Sequence, residues 1–128
     1  MKPRETGKPK VTVVDYGVGN LFSVAQALES CGADVTVTAS PDTLLAAERI
    51  LLPGVGAFGA GMELLEQKGL TAPLKAYAQS GKPLLGICLG MQLLFETGEE
   101  FGLRKGLGLI PGRVRAIRAG ELAVPHMG

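Results

Sequence analysis

The chain has 128 residues, a formal net charge of +1 and 46% hydrophobic residues. That length fits one modest domain or part of a larger one. The near balance of acids and bases leaves no electrostatic footprint for nucleic acid and no acidic interaction tail. Aromatic residues are only 5% and tryptophan is absent, so the core must be aliphatic. Two cysteines, Cys31 and Cys88, are too few for a disulfide framework, and no secretory leader pattern precedes them. No apolar run is long enough for a membrane helix, so a soluble cytoplasmic protein is expected. One His and two distant Cys build no metal site, and no metal or cofactor is expected.

Residues 1–10 are polar and basic with two prolines and read as a loose tail. Val11–Asp15 (VTVVD) is a buried-strand pattern. Tyr16–Asn20 (YGVGN) is a turn. Leu21–Cys31 carries apolar residues at Leu21, Val24, Ala25 and Leu28, which is helical spacing, and Gly32 stops it. Asp34–Thr38 is a second strand. Ser40 then caps a short helix with Pro41 at its first position. Arg49–Leu52 is a third strand, followed by a glycine-rich loop at Pro53–Gly61. One or two helices fill Met62–Ser80 and end at Gly81. Pro83–Ile87 is a fourth strand, and a helix begins over Gly90–Glu96. Past Thr97 the periodicity weakens; Gly112–Ile117 and Leu122–Val124 read as later strands.

Strands thus alternate with helices, and the early strands are continuously apolar. That argues for an α/β fold with a parallel sheet covered on both faces. Nothing reads as a linker, so residues 11–128 belong to a single domain.

The chemistry concentrates at Gly86-Ile87-Cys88-Leu89-Gly90. This is the cysteine form of the G-x-S-x-G nucleophile elbow, between a strand and a helix. The turn is so tight that its flanking residues must be small. The N–H groups and dipole of the following helix point at the sulfur and favour a thiolate. The Leu89 N–H follows the nucleophile and can face an oxyanion. Gln92 lies one helical turn on, a polar amide among Leu89, Met91, Leu93, Leu94 and Phe95. The loop Pro53-Gly54-Val55-Gly56 ends the neighbouring strand at the same sheet edge. Its glycines permit a peptide flip, and its N–H groups can complete an oxyanion hole. Most free cysteines are small core residues, and a five-residue pattern alone does not exclude that; the flanking strand and helix favour the nucleophile.

Gly86–Gln92 (GICLGMQ) resembles the signature of the class I, triad-type glutamine amidotransferases. Together with Asp15–Asn20 (DYGVGN), Pro53–Phe58 (PGVGAF) and Pro125–Gly128 (PHMG), it resembles the glutaminase-subunit family of imidazole glycerol phosphate synthases. The likeness runs from about Val11 to Gly128. It implies a flavodoxin-like parallel sheet and hydrolysis of glutamine to glutamate and ammonia through a Cys88 thioester. It also implies a heterodimer with a (β/α)8 barrel synthase subunit that uses the ammonia in histidine biosynthesis. By this resemblance Leu89 and Val55 supply oxyanion N–H groups, and Gly56 and Gln92 hold glutamine. Asn20, Pro125, His126 and Met127 face the partner.

Triad enzymes also need a histidine base and an acid that orients it. In the family these come from a His-x-Glu-type segment further downstream. The lone histidine, His126, belongs to PHMG and is not assigned as the base. The 128 residues are therefore expected to be the front portion of the domain and not to turn over glutamine by themselves.

Other signals carry less. Gly54-x-Gly56-x-x-Gly59 matches a dinucleotide fingerprint, but no acid lies between Gln67 and Phe95 to hold a ribose. Cys31 reads as a packing residue. Glu96, Glu99 and Glu100 read as a solvated helix end, and Arg113, Arg115 and Arg118 as an exposed strand face. Two alternatives remain: an elbow-cysteine protein of the same fold with a redox, chaperone or hydrolase role, and a nucleotide-binding module without covalent chemistry.

Overall fold

The computed structural model describes residues 7–117. Its elements in chain order are β1 (Lys10–Val14), α1 (Leu21–Ser30), β2 (Asp34–Thr38), α2 (Pro41–Ala46), β3 (Ile50–Leu52) and α3 (Phe58–Gln67). There follow α4 (Thr71–Gln79), β4 (Leu84–Gly86), α5 (Leu89–Leu93), β5 (Phe95–Gly98), β6 (Arg104–Lys105) and β7 (Ile110–Val114). Four strands form an all-parallel sheet in the order β2-β1-β3-β4. The order reverses between β1 and β3, so the loops after these strands diverge at one sheet edge. That is where open α/β sheets hold their ligands.

The two-residue alternation of the strands sorts their side chains. Val14, Ile50 and Leu52 join Leu44, Leu65, Leu70, Leu74, Leu89 and Leu93 in one core beneath α2–α5 that is mainly aliphatic but also takes in the rings of Tyr16, Phe58 and Tyr77. Each fully buried aliphatic side chain contributes roughly 1.5–3 kcal/mol. The opposite face carries Val13 and Leu51, in register with Leu85 on β4. Among the described residues, only α1 lies against it. There Val11, Leu28, Leu51 and Leu85 line a groove of about 330 Å3, and Leu85 is 58% exposed. Among the described residues, one face is therefore covered by α2–α5, and the second only over β1 and β2.

Several boundaries differ from expectation. The loop after β3 is shorter, because the helix starts at Phe58. That side chain is fully buried, and its N–H is capped by the Glu100 carboxylate at 3.1 Å. The helix after Cys88 stops at Leu93 instead of running through Glu96. Its last carbonyls, on Leu93 and Leu94, accept from Leu107, Leu109 and Ile110 N–H groups, which turn Phe95–Gly98 into a strand. A second sheet results, ordered β6-β5-β7, with β5 antiparallel to β6 and parallel to β7. The strand expected at Gly112–Ile117 is found at Ile110–Val114, while Leu122–Val124 lies outside the described residues.

The acidic run is not a solvated helix end. Glu96 accepts from the Gly112 N–H at 3.0 Å, Glu99 pairs with Arg113 at 3.2 Å, and Glu100 caps α3. Cys31 is exposed at the end of α1 and packs into no core.

Candidate active site

Cys88 sits between β4 and α5 at φ 55° and ψ −126°. A side chain is rarely held there; such strain costs on the order of 1–3 kcal/mol and persists only where the surroundings over-determine it. The surroundings are explicit. The Ile87 N–H donates to Leu52 O at 3.0 Å, tying the turn to β3. A Cβ at Gly86 would lie 2.6 Å from the Met91 Cα, and one at Gly90 would collide with the Leu52 carbonyl oxygen. The chain therefore passes through a gap that admits no side chain on either flank, and the residue between is pushed out. Cys88 is exposed.

The first turn of α5 differs from expectation. Its N–H groups are not unpaired: Leu89 donates to Gly54 O at 3.2 Å, Gly90 to Ile87 O at 3.0 Å, and Met91 and Gln92 to Cys88 O. With five residues, α5 also has little aligned dipole to offer. Gln92 is half-buried on α5, one turn from Cys88.

The loop after β3 lies beside the elbow. Because the Gly54 carbonyl points at the Leu89 N–H, the Val55 N–H on the other side of the same planar trans peptide points away from it. The two N–H groups expected to form an oxyanion hole thus do not converge in this conformation. The Val55 side chain is 60% exposed, and Gly56 holds φ 103°. The β1–α1 turn closes the same edge, with Gly19 packed against Gly54 and Pro53.

Asn20 has a local task. Its Oδ1 accepts from the Ser23 N–H at 3.1 Å and caps α1. Pro125, His126 and Met127 lie outside the described residues. Among the described residues no group of three His, Cys, Asp or Glu is placed to hold a metal ion, and no helix is long and apolar enough to cross a membrane.

Two residues at this edge escaped the sequence reading. Tyr16 is fully buried and donates its hydroxyl to Pro53 O at 2.6 Å; burial pushes its pKa well above the ordinary phenol value, so it stays a donor. Its place in the DYGVGN turn was a signal, its aromatic ring being one of few in the chain. Glu100 gave no such signal, since its partner Phe58 is remote in sequence.

The model for "Glutamine amidotransferase class-I" matches residues 12–123. The chain belongs to the class-I glutamine amidotransferase family. Within reach of that family, it is 57% identical over 118 residues to the "Imidazole glycerol phosphate synthase subunit HisH" of Desulfitobacterium hafniense, covering 92% of this chain and 56% of that one. The protein of the same name from Synechococcus elongatus is 54% identical over 121 residues, covering 94% and 55%. The amidotransferase chain thus spans a little over half the length of these curated relatives. Among solved structures, "Crystal structure of glutamine amidotransferase" superposes with a TM-score of 0.71 at 19% identity, over 86% of this chain and 58% of that one. A putative peptidase E from Listeria monocytogenes gives 0.59 at 21% identity, over 75% and 54%. Both likenesses speak to the fold alone, a parallel sheet with helices.

Proposed function

We propose that this chain carries the nucleophile of a glutaminase that supplies ammonia to imidazole glycerol phosphate synthase in histidine biosynthesis. The observation that carries the reading is the strained, exposed Cys88 at the tip of a turn that excludes side chains on both flanks. The identity to two synthase subunits supports the substrate and the pathway.

In this reading the Cys88 thiolate attacks the side-chain carbonyl carbon of glutamine. The tetrahedral oxyanion is held by the Leu89 and Val55 N–H groups once the Gly54–Val55 peptide turns over, which breaks the Leu89–Gly54 hydrogen bond. Collapse, with a proton delivered to the amide nitrogen by the triad histidine, expels ammonia and leaves a glutamyl thioester; water then adds, giving a proton back to that histidine, releasing glutamate and restoring the thiolate. Gly56 and Gln92 hold the glutamine. A histidine base and its orienting acid complete the triad from the remainder of a single amidotransferase domain, of which residues 11–128 are the N-terminal portion. The ammonia passes to a (β/α)8 barrel partner, which Asn20, Pro125, His126 and Met127 face, in a cytoplasmic heterodimer with lyase activity.

The nucleotide-binding alternative is disfavoured by Gly59. It lies within α3, and the space of its missing side chain is taken by Arg104, whose Nη1 would stand 3.1 Å from a Cβ there. A redox, chaperone or other hydrolase role has no observation in its favour.

The test is glutamate release from glutamine by the protein expressed from its own gene, alone and with the barrel subunit. Hydrolysis is expected to rise with the partner and to vanish in Cys88→Ser. Hydrolysis retained in that variant would remove Cys88 from the mechanism.

A further inference from the structure

The loop between β3 and α3 is fastened at both ends by side chains far away in sequence. At its start, the buried Tyr16 hydroxyl donates to Pro53 O at 2.6 Å. The same hydroxyl fills the space above Gly54, where a Cβ would collide with it. Pro53 adds its ring-fixed φ. At the loop's end, the N-cap position of α3 is Ala57, which has no side-chain acceptor. The acceptor comes instead from Glu100, whose Oε1 takes the Phe58 N–H at 3.1 Å. Between these two fastenings, Ala57 O accepts from the Gly61 N–H of α3 at 3.0 Å, and among the described residues the one backbone hydrogen bond found for Gly54–Gly56 is the long one from Leu89 N–H to Gly54 O, at 3.2 Å.

We infer that Tyr16 is a positioning residue of the glutaminase site. With Glu100 it clamps the two ends of the Pro53–Ala57 loop, so that reorientation is confined to the glycine-flanked Gly54–Val55 peptide. The inference rests on the glutaminase reading for its purpose, but not for its geometry. A loose loop would spread its population over many arrangements, of which few present the Val55 N–H to the oxyanion. A loop held at Pro53 O and Phe58 N–H has one mobile unit with two orientations. In one, the Gly54 carbonyl occupies the Leu89 N–H, as observed; in the other, the Val55 N–H replaces it. Tyr16 suits the role because burial keeps its hydroxyl protonated and therefore always a donor. The rival reading is that Tyr16 only fills the core with its ring. Tyr16→Phe separates the two, because it keeps the ring and removes the hydroxyl.

The measurement is residue-resolved amide hydrogen exchange on the 15N-labelled chain. Tyr16→Phe is expected to speed exchange at Leu89 by roughly five- to tenfold, the loss of one hydrogen bond of ordinary strength. Val13 and Leu65, away from the loop, should stay within about twofold, as sites outside the same locally opening unit. Glu100→Ala should speed Phe58 and Leu89 similarly, and Glu100→Gln, which keeps an oxygen acceptor, should restore most of the protection. Unchanged Leu89 exchange in Tyr16→Phe, or an equal rise across the whole core, overturns the clamp. Should Tyr16→Phe not fold, Glu100→Ala decides alone: unchanged exchange at Phe58 and Leu89 is then the overturning result. In the glutaminase assay of the protein expressed from its own gene, with the barrel subunit, Tyr16→Phe should lower kcat about tenfold with KM within about twofold, the signature of a transition-state interaction. Absence of glutamine hydrolysis in the wild type would defeat the glutaminase reading and leave the exchange result to judge the clamp.

Discussion

Replacing Cys88 with glycine should stabilise the chain while removing its proposed nucleophile. The Cys88 backbone is held at φ 55° and ψ −126°, where an L-residue is strained and glycine is not. Strain of this kind is worth on the order of 1–3 kcal/mol. Glycine gives back about 0.5–1 kcal/mol through the greater freedom of its unfolded chain. The net gain is therefore roughly 0.5–2 kcal/mol, which for a chain of this size is about 2–8 °C in Tm. Cys88→Ala is the control. It loses the same exposed thiol but keeps the Cβ, so it should stay close to the wild type. The comparison is made by urea unfolding followed by circular dichroism, with the slope unchanged so that midpoints report stability. A glycine variant no more stable than the alanine variant would refute the argument that Cys88 stores strain.

The flanks of the elbow should behave in the opposite sense. Gly90→Ala drives a Cβ into the Leu52 carbonyl oxygen, which β3 cannot move, so a loss of about 3 kcal/mol or more is expected; a urea midpoint within about 1 kcal/mol of wild type contradicts the fit of the turn. Alkaline pH probes Tyr16 and Tyr77, both of whose hydroxyls are pushed above the ordinary phenol value chiefly by burial, with Arg49 partly opposing the shift at Tyr77. Below about pH 10 both folded and unfolded chains keep these protons and the contribution to stability is full; above it the unfolded chain ionises first, so stability falls as pH rises. Tyr16→Phe should lessen that fall above about pH 10, and an equal fall in the variant argues that Tyr16 is not the group responsible.

The parts of the fold that the sequence made readable are those whose cause is local. β2 occupies Asp34–Thr38 as its alternation required, and Ser40 accepts from Thr43 N–H at 3.3 Å ahead of Pro41, as a capped helix start should. The elbow was readable for the same reason, because a strand, two flanking glycines and a helix describe a steric requirement met within a few residues. Asn20 fell between two signals. Its place just before a helical pattern marked an N-cap, while its place in the DYGVGN motif drew attention to a partner instead.

What escaped notice depends on contacts that no window along the chain contains. Phe95–Gly98 carries Phe and two polar residues after an apolar helical run, and by periodicity alone it continues that run. It becomes a strand because the carbonyls of Leu93 and Leu94 are taken by N–H groups from residues 107–110. Glu100 follows the same logic. As one acid among three it looks like a solvated helix end, yet the helix whose N–H it accepts begins at Phe58. The loop proposed to deliver the Val55 N–H is held by Tyr16 from the turn after the first strand and by Glu100 from beyond the fifth. The elbow that carries the proposed nucleophile is therefore a local feature of the chain, whereas the conformation of the loop beside it is a tertiary one. A substitution at Tyr16 or Glu100, neither adjacent to Cys88 in sequence, should consequently alter the proposed glutamine turnover while leaving the strained φ of Cys88 intact.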